Sequence, residues 1–372
     1  MNKIKVMMLA MVAMISSSVF TSCSDDDDVS NNYTTYQNAV DAQVKAGKKH
    51  NKAILLVAFG STWQCAFDAF DATKAAYEKE FKDYDVYVSY SSAICINRAA
   101  AGEHKAEGAQ VRNYYAPNFW LHAFGTAKYD EIVVQSLQVI PGEEFNRVIN
   151  YMKDFMNNYL GDLDDKYLSE VSIKLGSPLL TSNEGEGNDV EATAKALNAV
   201  YASAARGGVV AFMGHGNPDS YDSYKANVRY TELEDALQQI SPNYFVGTVD
   251  MPDNYKMDVW DRIQANENTT TNKTITFQAL MSIAGDHAHN DMVGGCDGDE
   301  SEYWDAEDPE SEDNSWYCYF KHIAKYTTLN GGDNPKGLLE IPGVLKIWMQ
   351  HTREAVEGDA LEDYYHSMFP ED

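Results

Sequence analysis

Histidine and aspartate side chains follow three short apolar segments of this sequence, at the points where the segments end. The three pairs are 208–213 with His215, 244–249 with Asp250, and 275–284 with His287. Short apolar runs bounded by glycine are typical of buried strands in a parallel sheet, and open α/β sheets bind ligands beyond the carboxyl ends of their strands. Imidazole and carboxylate groups bind divalent transition metals, and a neutral imidazole also accepts protons. These positions therefore predict a ligand site at the strand ends.

Several other polar residues lie close to His287 in the sequence. They are Asp286, His289, Asn290 and Asp291. A single histidine after a strand is more often a hydrogen-bonded structural residue, so His289 is left without a role, and the last two residues suit a turn that follows the strand. Asp250 suits the N-cap of a helix as well as a ligand position, and both alternatives stay open at this point.

Apolar runs alternate with segments of helical periodicity along the chain from residue 53 onward. Strands are predicted at 53–59, 85–90, 131–137, 172–175, 208–213, 243–249 and 274–284. Helices are predicted between them, and a final helix is predicted at 341–356. Alternating strands and helices form parallel sheets with helical crossovers. The predicted fold class is therefore α/β, with parallel sheets flanked by helices.

Part of the sequence repeats itself. Residues 132–144 and 275–287 share Gln, Leu, Ile, Gly and an acidic residue in register, and residues 58–60 resemble 212–214. Two similar lobes facing each other would explain both repeats, although chance similarity between buried strands is the alternative. A cleft between two such lobes is the expected place for a ligand.

The chain is divided into segments by composition. The predicted divisions are a signal peptide at 1–23, an acidic and polar tether at 24–50, an N-terminal lobe at 51–180 plus 338–358, and a C-terminal lobe at 181–337. The body of about 320 residues is too long for one ordinary hydrophobic core and suits two α/β lobes.

The first residues have the features of a targeting segment. Lys3 and Lys5 precede an apolar run at 6–15 that is too short to span a membrane. Cys23 follows two small residues and precedes an acidic run, as in a bacterial lipoprotein processing site. This resemblance implies lipidation of Cys23 and a periplasmic or outer-membrane protein of the cell envelope. An ordinary signal peptide with an incidental cysteine is the alternative.

The charge of the chain excludes some partners. The 372 residues carry a formal net charge of −28, which argues against nucleic acid, because nucleic-acid binding requires a basic surface. The same charge argues against docking of the protein surface on anionic lipid, so membrane contact is expected only through a lipid anchor. The five cysteines show no metal-ligand spacing.

Motifs along the chain resemble the anaerobic cobalt chelatase family, sirohydrochlorin cobaltochelatase, of the class II chelatases. They cover 52–357 in order and lie at 54–62, 134–143, 212–216, 246–250, 280–292 and 337–340. The motif Gly-Asp-His-x-x-Asn-Asp-Met at 285–292 is highly specific, whereas Gly-His-Gly at 214–216 alone would be weak. The resemblance implies a two-lobed chelatase with its site in the cleft between the lobes.

The resemblance also implies an activity and a set of roles. The enzyme would be a lyase that inserts Co²⁺ into the reduced tetrapyrrole sirohydrochlorin in anaerobic cobalamin biosynthesis. His215 and His287 would be catalytic and would bind the metal together with Asp250, where the family has a glutamate that is one methylene longer. The metal is a substrate, and Ni²⁺, Fe²⁺ or Zn²⁺ would also suit these ligands. The loop expected to contact the tetrapyrrole's carboxylates is Gly60, Ser61 and Thr62.

Two other functions remain open. The predicted lipid anchor and the shorter acid at 250 also fit an envelope lipoprotein that binds tetrapyrrole or metal without catalysis. A metal-dependent hydrolase could use the same ligands, but the sequence has no nucleophile elbow or phosphate-binding loop to support it. The sequence leaves homo-oligomer formation open.

Overall fold

The computed structural model describes residues 26–181, 188–296, 303–309, 311, 313–332 and 335–358. The predicted signal peptide, with its lipidation site Cys23, lies outside the described residues, as does most of the loop between the predicted lobes. No helix within the described part of the chain is long and apolar enough to cross a membrane.

Within the described residues, eight strands form two four-stranded sheets in which every neighbouring pair is parallel. The strands are β1 Lys52–Ala58, β2 Asp85–Tyr90, β3 Glu131–Ser136, β4 Ser172–Gly176, β5 Val209–Gly214, β6 Tyr244–Thr248, β7 Thr274–Ala279 and β8 Thr328–Asn330. The strand orders are β2-β1-β3-β4 and β6-β5-β7-β8. The predicted α/β class with two similar lobes is confirmed, although the predicted strand 274–284 ends at Ala279 and β8 was not predicted.

Helices flank both sheets. They are α1 Asp26–Gly47, α2 Gln64–Glu80, α3 Ala93–Ala101, α4 Pro117–Thr126, α5 Glu143–Met156, α6 Asp165–Glu170, α7 Asp189–Gly207, α8 Val228–Ile240, α9 Lys256–Ala265, α10 Trp316–His322 and α11 Pro342–Glu357. In α5, Phe145, Val148 and Met152 are spaced so that they share one face. All three are buried in the core of the first lobe together with residues of the first sheet. Burial of this apolar stripe fixes α5, and with it the loop that precedes it, on the sheet.

The two sheets repeat the same backbone hydrogen bonds where their strands end. Leu137 N donates to Val57 O at 2.9 Å, and Leu280 N donates to Met213 O at 2.7 Å. These bonds confirm that 132–144 and 275–287 are equivalent. They also pair Val57 with Met213, so the predicted match of 58–60 with 212–214 is wrong by two residues. Hydrogen bonds between strands set the strand register, and a short similarity between two apolar segments does not determine it.

The last helix of each half packs on the sheet of the other half. Thr352, on α11 after the second sheet, donates its hydroxyl to Gln135 Oε1 on β3 at 2.7 Å. Tyr201, on α7 after the first sheet, donates its hydroxyl to Gln278 on β7. His351 Nε2 lies 3.0 Å from Asp189 Oδ1, which joins α11 to α7. Helices α7 and α11, called the exchanged helices below, therefore connect the two lobes through hydrogen bonds to β7 and β3.

The predicted tether at 24–50 needs correction. Helix α1 runs to Gly47, and Val40 and Val44 are buried in the core of the first lobe. The backbone N–H groups of Lys49 and His50 donate to Asp85 Oδ2 at 2.9 and 3.1 Å. Residues 40–50 therefore belong to the first lobe, because two buried valines and a satisfied carboxylate hold them there.

Candidate active site

The structure brings together the three side chains that were expected to bind a metal. His215 follows β5, Asp250 follows β6, and His287 precedes a short π-helix at Ala288–Met292. The centroids of the His215 and His287 rings are 4.7 Å apart, with the rings at 87° to each other. His215 Nδ1 lies 3.6 Å from Asp250 Oδ2. The parallel strands deliver all three to one edge of the second sheet, as the sequence predicted.

His215 is oriented so that one ring nitrogen remains available. Its Nδ1 lies 2.7 Å from Gly216 O, and since a carbonyl can only accept, Nδ1 carries the proton. Nε2 then keeps its lone pair. Burial and the neighbouring His287 lower the pKa of His215 more than Asp250 raises it. His215 is therefore neutral at pH 7, as a metal ligand or a proton acceptor must be.

His287 is held by a carboxylate. Its Nδ1 donates to Asp291 Oδ2 at 2.6 Å, one turn along the chain. Burial alone would lower the pKa of His287, but Asp291, together with the charges of Asp250 and Asp286, outweighs burial, so the pKa is raised. Metal-binding histidines typically donate their second ring N–H to a carboxylate in this way. Asp291 therefore orients His287, where the sequence had suggested only a turn residue.

Asp250 lies beside His215 and does not act as a helix cap. The next helix, α9, begins at Lys256 with Tyr255 as its N-cap, and the Asp250 side chain is 40% exposed. The ligand atoms of His215, Asp250 and His287 do not all lie within 4.8 Å of one another. Aspartate is one methylene shorter than glutamate, so its carboxylate stands back from the imidazoles. A metal bound by all three therefore needs a small side-chain movement.

The loop predicted to contact substrate has a different place. Ser61 is only 3% exposed, and its hydroxyl donates to Ala284 O in the other lobe at 3.4 Å. Thr62 is 4% exposed, and Gly60 has φ +129°, which favours glycine. The prediction that hydroxyls of this loop contact the tetrapyrrole is therefore wrong for Ser61 and Thr62, because protein covers both side chains.

The lobes approach each other at two equivalent points. A Cβ at Gly285 would lie 3.6 Å from Ser61 Oγ, and a Cβ at Gly142 would lie 3.2 Å from Asn217 Nδ2. Ser223 N also donates to Glu143 Oε1 at 3.3 Å. The strand ends of both sheets thus face each other between these contacts. A cavity of about 720 Å³ lies elsewhere, against β2 and α2, and none of the predicted site residues lines it.

Sequence analysis missed Glu144, the equivalent of His287 in the first lobe. Asn146 N donates to Gly142 O at 3.0 Å, just as His289 N donates to Gly285 O at 3.1 Å. Burial raises the pKa of Glu144, and its Oε2 is buried with no hydrogen-bond partner among the described residues. The internal repeat, which aligns Glu144 with His287, could have identified it.

Phe59 is a second residue that sequence analysis missed. Ser92 N donates to Phe59 O at 3.0 Å, and Asp250 N donates to His215 O at 2.8 Å. Phe59 is therefore the equivalent of His215, and its ring is 42% exposed. An exposed aromatic ring at a strand end is suited to packing against a flat ligand.

The fold defines a two-lobed α/β protein in which two imidazoles and a carboxylate lie together at the strand ends of the second sheet. The chain belongs to the cobalt chelatase (CbiK) family, whose model matches residues 52–357. This confirms the family predicted from the motifs and supports a metal-chelatase activity.

Two curated relatives and one solved structure show the extent of the similarity. Sirohydrochlorin cobaltochelatase CbiKC of Nitratidesulfovibrio vulgaris is 26% identical over 313 residues, which are 84% of this chain and 92% of the relative. Sirohydrochlorin cobaltochelatase of Salmonella typhimurium is 25% identical over 253 residues, 67% of this chain and 82% of the relative. The structure of SirB from Bacillus subtilis with Fe³⁺ matches with a TM-score of 0.51 at 12% identity, covering 84% of this chain and 97% of SirB, and supports the fold.

Proposed function

We propose that this chain inserts a divalent metal ion, Co²⁺ in the first instance, into sirohydrochlorin. The observation that carries the proposal is the pair of imidazoles of His215 and His287, whose Nδ1 hydrogen bonds leave both Nε2 atoms available, with the Asp250 carboxylate 3.6 Å from Nδ1 of His215. The names of the two curated relatives support this metal and this macrocycle. Ni²⁺, Fe²⁺ and Zn²⁺ suit the same ligands.

The metal would bind to Nε2 of His215, Nε2 of His287 and the carboxylate of Asp250. A set of three side-chain ligands leaves coordination positions open for the pyrrole nitrogens, so the ion can pass from protein to macrocycle. The Asp250 carboxylate lies further from the imidazoles than a glutamate carboxylate would. This position favours weak binding of the metal ion and therefore its release to the macrocycle.

Insertion of the ion releases two pyrrole protons, which need acceptors. His215 is suited to accept one at Nε2 once the ion has passed to the macrocycle, because its lowered pKa keeps the metal-free imidazole neutral. Glu144 on the facing lobe is suited to accept the other, because its raised pKa makes its carboxylate more basic than an exposed one. Phe59 would pack on the macrocycle face.

The test is Co²⁺ insertion into sirohydrochlorin by purified protein, followed by absorbance. His215→Ala should lower the rate by about 100-fold or more, since it removes a ligand and a base. The control is His122→Ala, which removes a largely buried imidazole on α4 that is paired with Asp162. Equal rates with and without protein would refute the proposal. Tight binding of tetrapyrrole without turnover would replace it with the binding-only alternative, which the named relatives do not support.

We also propose that the protein is lipid-anchored in the cell envelope through Cys23. The support is the sequence of residues 1–28: a basic start, a short apolar run, a cysteine after small residues and an acidic run. Labelled palmitate should be incorporated into the wild-type chain and not into Cys23→Ala. Equal labelling of both, or recovery of the wild type in the soluble fraction, would overturn this location.

A further inference from the structure

A second group of metal-binding side chains lies at the junction of the lobes. Glu103, His104 and Asp286 each offer a ligand atom, and among the described residues these three atoms lie within 4.8 Å of one another. Glu103 and His104 follow α3 in the first lobe, and Asp286 belongs to the second. The group shares no side chain with His215, Asp250 and His287.

The imidazole of His104 is fixed in the orientation of a metal ligand. Its ring stacks on Trp63 at a centroid distance of 4.0 Å and an interplanar angle of 26°. Its Nδ1 lies 3.6 Å from Glu107 Oε2, and its Nε2 points to Asp286 Oδ1 at 3.3 Å. Without a metal, Nε2 donates to the Asp286 carboxylate. A metal bound between Nε2 and Asp286 would replace this hydrogen bond, and the ring proton would then lie on Nδ1, which faces Glu107.

The carboxylate of Asp286 is also held in place. Trp63 Nε1 donates to its Oδ1 at 2.7 Å, so its Oδ2 remains for a further partner. Arg98 Nη1 lies 3.6 Å from this Oδ2 and 3.4 Å from Glu103 Oε1. Both distances are long for hydrogen bonds. Arg98 therefore balances the charge of two carboxylates without strong directional bonds, and a divalent ion would supply more charge there.

We propose that Glu103, His104 and Asp286 form a second divalent-metal site that joins the two lobes. One imidazole and two carboxylates suit borderline ions such as Co²⁺, Ni²⁺ and Zn²⁺. A bound ion would connect the α3 loop to the residue directly before His287. It would therefore hold the lobes together next to the first site, and its binding does not depend on chelatase activity.

The experiment is titration of Co²⁺ alone by calorimetry, in a background that lacks the first site. His215→Ala/His287→Ala protein should bind one Co²⁺, and addition of His104→Ala should abolish that binding. Glu103→Gln in the same background is the second variant, in case His104→Ala does not fold, and should weaken binding at least about tenfold. His122→Ala is the matched control, because His122 pairs with a single carboxylate, Asp162, and it should leave binding unchanged.

Substitution of Arg98 gives a result that a nonspecific acidic surface would not give. Arg98→Ala in the same background should strengthen Co²⁺ binding by about tenfold, since it removes a competing positive charge within a few ångströms. Glu107→Gln should weaken it by about tenfold. Absence of a bound Co²⁺ in the His215→Ala/His287→Ala protein would overturn the second site, as would binding that His104→Ala and Glu103→Gln both leave intact. Each result is independent of sirohydrochlorin turnover in the wild type.

Discussion

The two lobes have the same backbone at their strand ends but different side chains. The hydrogen bonds that place Phe59, Ser92 and Glu144 in the first lobe also place His215, Asp250 and His287 in the second. Ser92 caps α3 by accepting from Cys95 N at 3.3 Å, whereas Asp250 caps no helix. A repeated backbone therefore carries two imidazoles and a carboxylate, the proposed metal-binding wall, on one side and an aromatic and acidic wall on the other.

Under the proposed function, this difference would let one cleft hold both reactants. Metal ligands on both walls would hold the ion symmetrically and leave no surface for a flat macrocycle. Phe59 would provide an apolar face, and Glu144 would provide a proton acceptor away from the imidazoles. The comparison predicts that substitutions in the second lobe affect metal binding, whereas those in the first lobe affect turnover or macrocycle binding.

The largest effect is expected for His287→Ala. Loss of this ligand should weaken Co²⁺ binding at the first site and lower the chelation rate by about 100-fold or more. Calorimetry with Co²⁺, in a His104→Ala background that lacks the proposed second site, measures the first effect, and absorbance of the product measures the second. An unchanged rate would contradict the assignment of the second lobe as the metal wall.

Glu144→Gln tests the equivalent position in the first lobe. The amide keeps the shape but cannot accept a proton, so the rate should fall by about 10- to 100-fold with unchanged Co²⁺ affinity. Glu144 is half-buried, and its Oε2 is buried without a hydrogen-bond partner among the described residues, so the structure should accommodate the neutral variant. Loss of metal affinity in this variant would show that Glu144 is a ligand and that the two walls are not distinct.

Phe59→Ala tests macrocycle packing. Loss of an aromatic contact of about 1 kcal/mol should raise the KM for sirohydrochlorin by about fivefold. The kcat and the Co²⁺ affinity should stay near the wild-type values. The control is Tyr159→Ala, because Tyr159 is an exposed aromatic residue. A buried residue such as Phe124 would not be a suitable control, because its loss would destabilise the core. An equal KM for Phe59→Ala and the wild type would remove Phe59 from the site.

The smallest effect is expected on stability, for the pair of His351 and Asp189 that joins the exchanged helices α11 and α7. Burial would lower the pKa of His351, but the hydrogen bond that its imidazole donates to the Asp189 carboxylate outweighs burial, so the pKa is raised. A raised pKa means that folding favours the protonated imidazole, so this stabilisation is complete below the ordinary pKa of about 6.5 and is lost as pH rises through the folded-state pKa. His351→Gln, which cannot titrate, should therefore lose more stability at pH 6 than at pH 9, by about 1 kcal/mol. Urea unfolding at both pH values measures it, and an equal loss would contradict the link.

Much of this arrangement could be predicted from the sequence, because apolar strands and the residues after them are local signals. His215, Asp250 and His287 were found in this way, and the repeat of 132–144 in 275–287 predicted the two lobes. The two-residue shift of β1 against β5 could not be predicted, since it depends on hydrogen bonds between strands. The partner of His287 and the burial of Ser61 also depend on contacts that form only after the chain has folded.

The most direct test of the account is anomalous diffraction at the cobalt edge from crystals soaked in Co²⁺. The account predicts a cobalt ion about 2.0–2.2 Å from Nε2 of both His215 and His287, with Asp250 turned toward it. Cobalt only at Glu103, His104 and Asp286, or the two imidazoles turned apart with no ion between them, would contradict the claim that the second lobe is the metal-binding wall.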